Sequence, residues 1–168
     1  MSTKLYGAYG SNINSTQMGN RCPCSKYYAS GIIKNYELQF KGKPENSYAT
    51  ISKSCGSSVP VVIWHITDSD EKSLDKYEGY PDHYQKDVVT VTLENGQVAE
   101  AMVYVMDNSK DFGMPSPLYY RSILEGYKEF GLDEQFLSEA LGRNTQKYYL
   151  QAIVQLNEEI QRRFPEPP

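Results

Sequence analysis

Two short stretches carry the residues most able to do chemistry. The first is Tyr9-Gly10-Ser11-Asn12. An extended, apolar-alternating segment stops there in residues that favour turns. A helical segment follows, so successive backbone N–H groups of Gly10, Ser11 and Asn12 could hold a carboxylate or phosphate. The alternative is an ordinary strand-to-helix turn. The second stretch is Leu74-Asp75-Lys76-Tyr77-Glu78-Gly79-Tyr80-Pro81. Its helical pattern ends at Glu78, where a carboxylate faces the negative pole of the helix dipole, typically at a cost of ~0.3–1 kcal/mol. Tyr77, Tyr80 and Tyr84 stand nearby in sequence, and aromatic surroundings disfavour the charged form of a carboxyl. Both effects point to a group that exchanges protons near neutral pH, a general acid or base. The alternative is a solvated Glu78 paired with Lys76 or Lys86.

Other chemistries find little support. No G-x-G-x-x-G and no G-x-x-x-x-G-K-[ST] occurs, which disfavours a nucleotide site. His65 and His83 are the only histidines, and Cys22, Cys24 and Cys55 an odd set of cysteines. They make neither a credible zinc set nor a redox motif, and reduced thiols of a cytoplasmic protein are expected. His65 lies in an apolar strand and is expected to be a hydrogen-bonded core residue. His83 is expected in a surface turn, and Trp64 in the core or at a sheet rim.

The elements that must position these residues can be read from periodicity. The chain has 168 residues, enough for one domain with a real core, and 39% hydrophobic content is supplemented by 15 tyrosines. Net charge is −4 and no Lys/Arg block stands out, so neither nucleic acid nor an anionic membrane is an expected partner. No apolar run is long enough to span a bilayer as a helix, and the start shows no signal-peptide core. Strands are predicted at 4–9, 36–40, 48–51, 61–66, 86–93 and 98–106, with 94–97 the turn of a hairpin. Continuous burial is expected for 61–66. Helices are predicted at 16–20 with Asn14 or Ser15 as cap, and at 69–78 with an Asp68 capping box and Gly79 closing. Two more follow, from Pro117 toward Gly131 behind a Ser116 cap and over 133–141. The last, over 145–163, carries Tyr149, Ile153, Leu156 and Ile160 on one stripe. Residues 164–168 read as a frayed tail. Strands first and helices last give an α+β domain over 1–168, with a curled sheet and helices outside.

Three segments taken together resemble the γ-glutamylcyclotransferase-like family. They are Tyr6-Gly7-Ala8-Tyr9-Gly10-Ser11-Asn12, the Glu78-Gly79 segment with Tyr84, and Pro115-Ser116-Pro117-Leu118-Tyr119. The resemblance covers about 5–141 and leaves the helix at 145–163 outside. It implies a small mixed β-barrel with flanking helices. It also implies an enzyme that turns a γ-glutamyl compound into 5-oxoproline and a free amine, without metal or organic cofactor. Residue by residue, it makes Tyr9, Gly10, Ser11 and Asn12 the substrate loop and Glu78 the general acid/base. Tyr84 and Tyr119 become neighbours of the bound γ-glutamyl group. The partner it implies is a small molecule. Arg21-Cys22-Pro23 receives no role, and the leaving amine and oligomeric state stay open. The competing reading is a binding or regulatory protein that keeps the fold without turnover.

Overall fold

A computed structural model describes residues 3–164; of the expected tail at 164–168, all but Phe164 lies outside them. Five strands close into a barrel in the order β1 (Thr3–Ala8), β3 (Asn46–Thr67), β2 (Lys26–Lys43), β4 (Tyr84–Leu93), β5 (Val98–Met106). All neighbours are antiparallel except β5 and β1, which meet in parallel at Met102 and Tyr6 and complete the ring. The expected mixed barrel is therefore present. Its wall at Val59, Val61, Val62, Ile63, Trp64 and Ile66 is buried on both faces, as the unbroken apolar run requires. The β4–β5 hairpin pairs Val88 with Met102 and Val89 with Ala101.

Three sequence expectations need correction. The strands expected at 36–40, 48–51 and 61–66 are parts of two long ones, β2 and β3, which pair from Lys26 to His65 as far as Lys43 to Asn46. The polar run Ser52-Lys53-Ser54-Cys55-Gly56-Ser57-Ser58 hid the continuity: Ser52, Lys53 and Ser58 pair with β2 despite weak strand propensity, and the residues between them fall at a register shift of the ladder. The helix after β3, α2 (Asp68–Glu78), is capped by Thr67, not Asp68. Thr67 Oγ1 accepts from the Asp70 N–H at 3.2 Å, and Asp70 Oδ2 accepts from the Thr67 N–H at 3.0 Å. The helices expected at 133–141 and 145–163 are one, α4 (Glu134–Arg163). Gly142 weakens a helix interior by about 1 kcal/mol. The chain carries through because Asn144 is clamped next to it, its Oδ1 accepting from the Phe40 N–H at 2.8 Å and its Nδ2 donating to Gly113 O at 2.7 Å.

The remaining elements frame one end of the barrel. After β1 the chain makes a 3-10 turn over Ser11–Ile13 and enters α1 (Ser15–Arg21), capped by Asn14. α3 (Pro117–Glu129) starts behind its Ser116 cap, as expected, and lies across that turn. Gly126 permits the contact: a Cβ there would come within 2.6 Å of Ile13 Cγ2 and 2.8 Å of the Asn14 nitrogen. No helix among the described residues is long and apolar enough to cross a membrane.

Candidate active site

A cavity of about 910 Å³ opens between the 3-10 turn, the end of α2, the β2–β3 hairpin and the start of α3. Tyr9, Gly10, Ser11, Asn12, Glu78, Tyr84 and Tyr119 all line it, so the fold brings together the site residues that the resemblance implies.

Glu78 is the last residue of α2, and the chain leaves the helix there through Gly79 at φ 66°. A Cβ on Gly79 would also come within 2.6 Å of His83 Cδ2, so a side chain is excluded twice. The Glu78 carboxyl is mostly buried, and among the described residues it forms no ion pair. Lys86, offered above as its partner, instead bridges Glu71 and Asp75 and lies 4.5 Å from the Tyr80 ring centroid. Tyr80 thus belongs to that surface cluster and not to the cavity lining.

Burial pushes the Glu78 carboxyl up to about 7, against the pull of the Arg21 charge and of the Asn12 hydrogen bond. Desolvation is thus the main cause, the effect expected of the surrounding aromatic residues.

A buried amide joins the two stretches. Asn12 Nδ2 donates to Glu78 Oε1 at 3.2 Å and to the Tyr6 hydroxyl at 2.9 Å. Asn12 Oδ1 accepts from Arg21 Nη1 at 2.5 Å, and the same nitrogen donates to Ser11 Oγ at 3.1 Å. Arg21 Nη2 donates to Gln17 Oε1 at 2.8 Å, and the guanidinium stacks 3.7 Å over the Tyr77 ring. Trp64, buried in the barrel wall, donates its indole N–H to Asn12 O at 3.1 Å. Arg21 is the residue that sequence reasoning left without a place. Its only signal was a basic side chain in the last turn of a short helix, which complements any helix dipole.

Among the described residues the backbone N–H groups of Gly10, Ser11 and Asn12 donate to no protein acceptor, whereas Ile13 and Asn14 N–H close the turn onto Gly10 O and Ser11 O. Gly10 has φ −108°, outside the left-handed region, and the space around it is tight. A Cβ there would sit 3.2 Å from the Tyr119 hydroxyl and 3.3 Å from Ala49 Cβ. The tyrosines differ in what their hydroxyls have left to offer. Tyr9 donates to Tyr104 O and Tyr84 donates to Ala49 O at 2.8 Å. Tyr119 accepts from the Ala49 N–H at 3.1 Å and keeps its own proton uncommitted. Burial holds the Tyr9, Tyr84 and Tyr119 phenols above their ordinary range, so they stay protonated.

At the hairpin end of the cavity Lys41, Lys43 and Asn46 face Lys110 and Asp111, with the Gly42 N–H donating to Asp111 O at 2.9 Å. Lys41 is buried, donates to Asn108 O at 3.2 Å, and is held below its ordinary pKa by burial. The expectations for the remaining residues divide. His83 is exposed at the cavity rim and Trp64 is core. His65 is only partly buried, packs edge-on to Tyr28 and has no hydrogen-bond partner at Nδ1, unlike the satisfied core histidine expected. The three cysteines are free thiols, and burial pushes Cys22 up to about 12.

Comparison with known proteins gives this geometry a family. Residues 6–122 match the family model described as "Gamma-glutamyl cyclotransferase, AIG2-like". The chain is 34% identical over 140 residues to a γ-glutamylcyclotransferase of Bos taurus, covering 79% of this chain and 74% of that one. It is 31% identical to the Homo sapiens γ-glutamylcyclotransferase with the same coverage. A solved structure titled "Gamma-glutamyl cyclotransferase" superposes with a TM-score of 0.77 at 28% identity, over 83% of this chain and 86% of that one. The chain belongs to the γ-glutamylcyclotransferase family of enzymes.

Proposed function

We propose that this enzyme converts a γ-glutamyl compound into 5-oxoproline and a free amine, with Glu78 moving the protons. The observation that carries the reading is a carboxyl with pKa about 7, hydrogen-bonded to the loop whose N–H groups are free. In the substrate, the α-amine and the γ-carbonyl it attacks belong to one molecule. Ring closure is therefore intramolecular, and positioning supplies much of the rate. The α-carboxylate is held by the N–H groups of Gly10, Ser11 and Asn12, which fixes the amine over the carbonyl. The α-ammonium gives one proton to solvent, and Glu78 as carboxylate takes a second from the attacking amine as the new C–N bond forms. As carboxylic acid it returns that proton to the leaving nitrogen as the old C–N bond breaks. Near neutral pH both of its forms are populated, which suits a group that must do both. Tyr119, with its proton uncommitted, stabilises the oxyanion that develops on the γ-carbonyl oxygen. Tyr9 and Tyr84, committed to backbone carbonyls, shape the wall. Arg21 orients Asn12 and Ser11 and restrains the rise of the Glu78 pKa. Lys41, Lys43 and Lys110 outnumber Asp111 at the hairpin end, which suits a leaving amine that carries a carboxylate, as an amino acid does.

The test is to incubate the protein with a γ-glutamyl dipeptide and follow 5-oxoproline by mass. Release of 5-oxoproline is expected, and Glu78→Gln should slow it by ~10²–10⁴-fold, the usual range for a lost general acid–base. No 5-oxoproline from the parent protein, or an unchanged rate in the Gln variant, overturns the assignment.

A further inference from the structure

The second half of α4 leaves the domain. Among the described residues Gln151 is the last with a hydrogen bond to another element, its Oε1 accepting from the Phe112 N–H at 3.1 Å, and every residue from Ala152 to Phe164 is exposed. A free helix of that length is marginal in water, since helices in proteins are held mainly by packing of one apolar face. The face exists: Tyr149, Ile153, Leu156 and Ile160 are 61%, 54%, 56% and 47% exposed. Their spacing of four, three and four residues is the seam of a coiled coil. Leu150 and Val154 widen it, at 64% and 55% exposed. Together these side chains offer on the order of 700 Å² of apolar surface, more than the ~300–600 Å² patch of a typical monomer. A contact along the seam would bury on the order of 1,000 Å² across two copies, the size at which specific interfaces begin.

We propose that this stripe docks against the same stripe of a second copy of the chain, the two helices running antiparallel. The sequence is self-complementary in that orientation. Tyr149 lies opposite Ile160 of the partner subunit, and Ile153 lies opposite Leu156 of the partner subunit. The same two layers repeat by symmetry, as a two-fold interface demands. The next seam position is Arg163. In an antiparallel pair it meets Gln146 of the partner subunit. In a parallel pair it would stack on its own copy and set like charges against each other, which is destabilising. Glu159, which pairs with Arg163 in its own helix at 2.5 Å, falls opposite Ala152 of the partner subunit and meets no like charge.

Light scattering on the eluting full chain decides the state. A mass twice the 19.1 kDa of one chain is expected, falling to one chain in the Ile153→Lys/Leu156→Lys variant. Both positions are exposed in the single chain, so the barrel's melting should not fall below that of the parent diluted to monomer. Orientation is read in a Cys24→Ser/Cys55→Ser background. Adding Tyr149→Cys and Ile160→Cys together should give a disulfide-linked dimer on oxidation. Ile160→Cys alone should give none, since antiparallel copies hold those positions roughly 16 Å apart along the axis, at 1.5 Å per residue. A parent that stays monomeric at all concentrations, including one that instead captures a foreign helix, overturns the proposal. So does a dimer indifferent to the lysine pair, or efficient cross-linking by Ile160→Cys alone.

Discussion

Glu78→Gln should stabilise the protein, and the gain should depend on pH in a defined way. In the unfolded chain the Glu78 carboxyl titrates near its ordinary 4.5; in the fold, burial moves it to about 7. The folded state therefore prefers the protonated form. Below pH 4.5 Glu78 is neutral in both states and costs the fold nothing. As pH rises toward 7 the unfolded chain releases its proton while the folded one keeps it, and stability is lost steadily. Above about 7 the loss is complete. At 1.36 kcal/mol per unit, a rise of this size corresponds to about 3 kcal/mol. Glutamine is neutral throughout, nearly isosteric, and its carbonyl can still accept from Asn12. The variant's excess stability over the parent should thus be near zero at pH 4, climb between pH 4.5 and 7, and level off at about 3 kcal/mol. For a chain of this size that is on the order of 10 °C in melting temperature. Urea melts of both proteins at half-unit pH intervals measure it, and subtracting the two curves removes every other titrating group. A difference that is flat with pH, or that favours the parent above pH 7, would refute burial as the origin of the Glu78 shift. The prediction also joins stability to catalysis: the variant that melts latest should turn over least.

Three further outcomes follow from the same network. Arg21→Met removes the charge that holds the Glu78 pKa down, so the ascending limb of the pH profile of kcat/KM should move to higher pH; a limb that stays in place separates Arg21 from Glu78. Gly10→Val should reduce kcat/KM far more than Ser11→Ala, because a Cβ at Gly10 meets the Tyr119 hydroxyl and Ala49, whereas alanine at Ser11 keeps its N–H; equal losses would mean that the turn holds nothing. Tyr119→Phe should lower kcat by about tenfold or more, the value of a donor to developing negative charge, while Tyr84→Phe should act mainly through stability, and a reversal of that order reassigns the donor.

How far the sequence could be read depended on how local the cause was. Glu78 was found because its helix stop is local, written in Glu-Gly with a proline two residues on. The reason given for its pKa was incomplete because burial is set by elements distant in the chain: β1, the 3-10 turn and α3. Arg21 could not be placed for the same reason. Nothing in Gly19-Asn20-Arg21 says that the side chain will turn back across ten residues to reach Ser11. The apolar run at 61–66 and the Asn95-Gly96 hairpin pointed to a curled sheet; its closing into a barrel was implied only by the family resemblance. The full length of β2 and β3 was not legible, because a polar strand is made by its partner. The break expected between 141 and 145 does not occur; the clamp beside it, Asn144 between Phe40 and Gly113, spans more than a hundred residues on one side. The stripe at 149–160 was visible in the spacing, but what it faces lies beyond one chain.

The hydrogen bonds around Asn12 have a fixed direction, and it starts at Arg21. A guanidinium can only donate. The amide must therefore turn its oxygen to Arg21, and its nitrogen is left for Glu78 and Tyr6. Glu78 Oε1 is consequently always an acceptor, in either charge state, and cannot be where the acid proton sits. The proton belongs to Oε2 alone. In the cyclisation proposed above, a single oxygen atom would collect the proton from the attacking α-amine and hand the same one to the departing amine. Two nitrogens of one substrate would then be served from one point in space, and the substrate has to be bound so that both come within reach of it in turn.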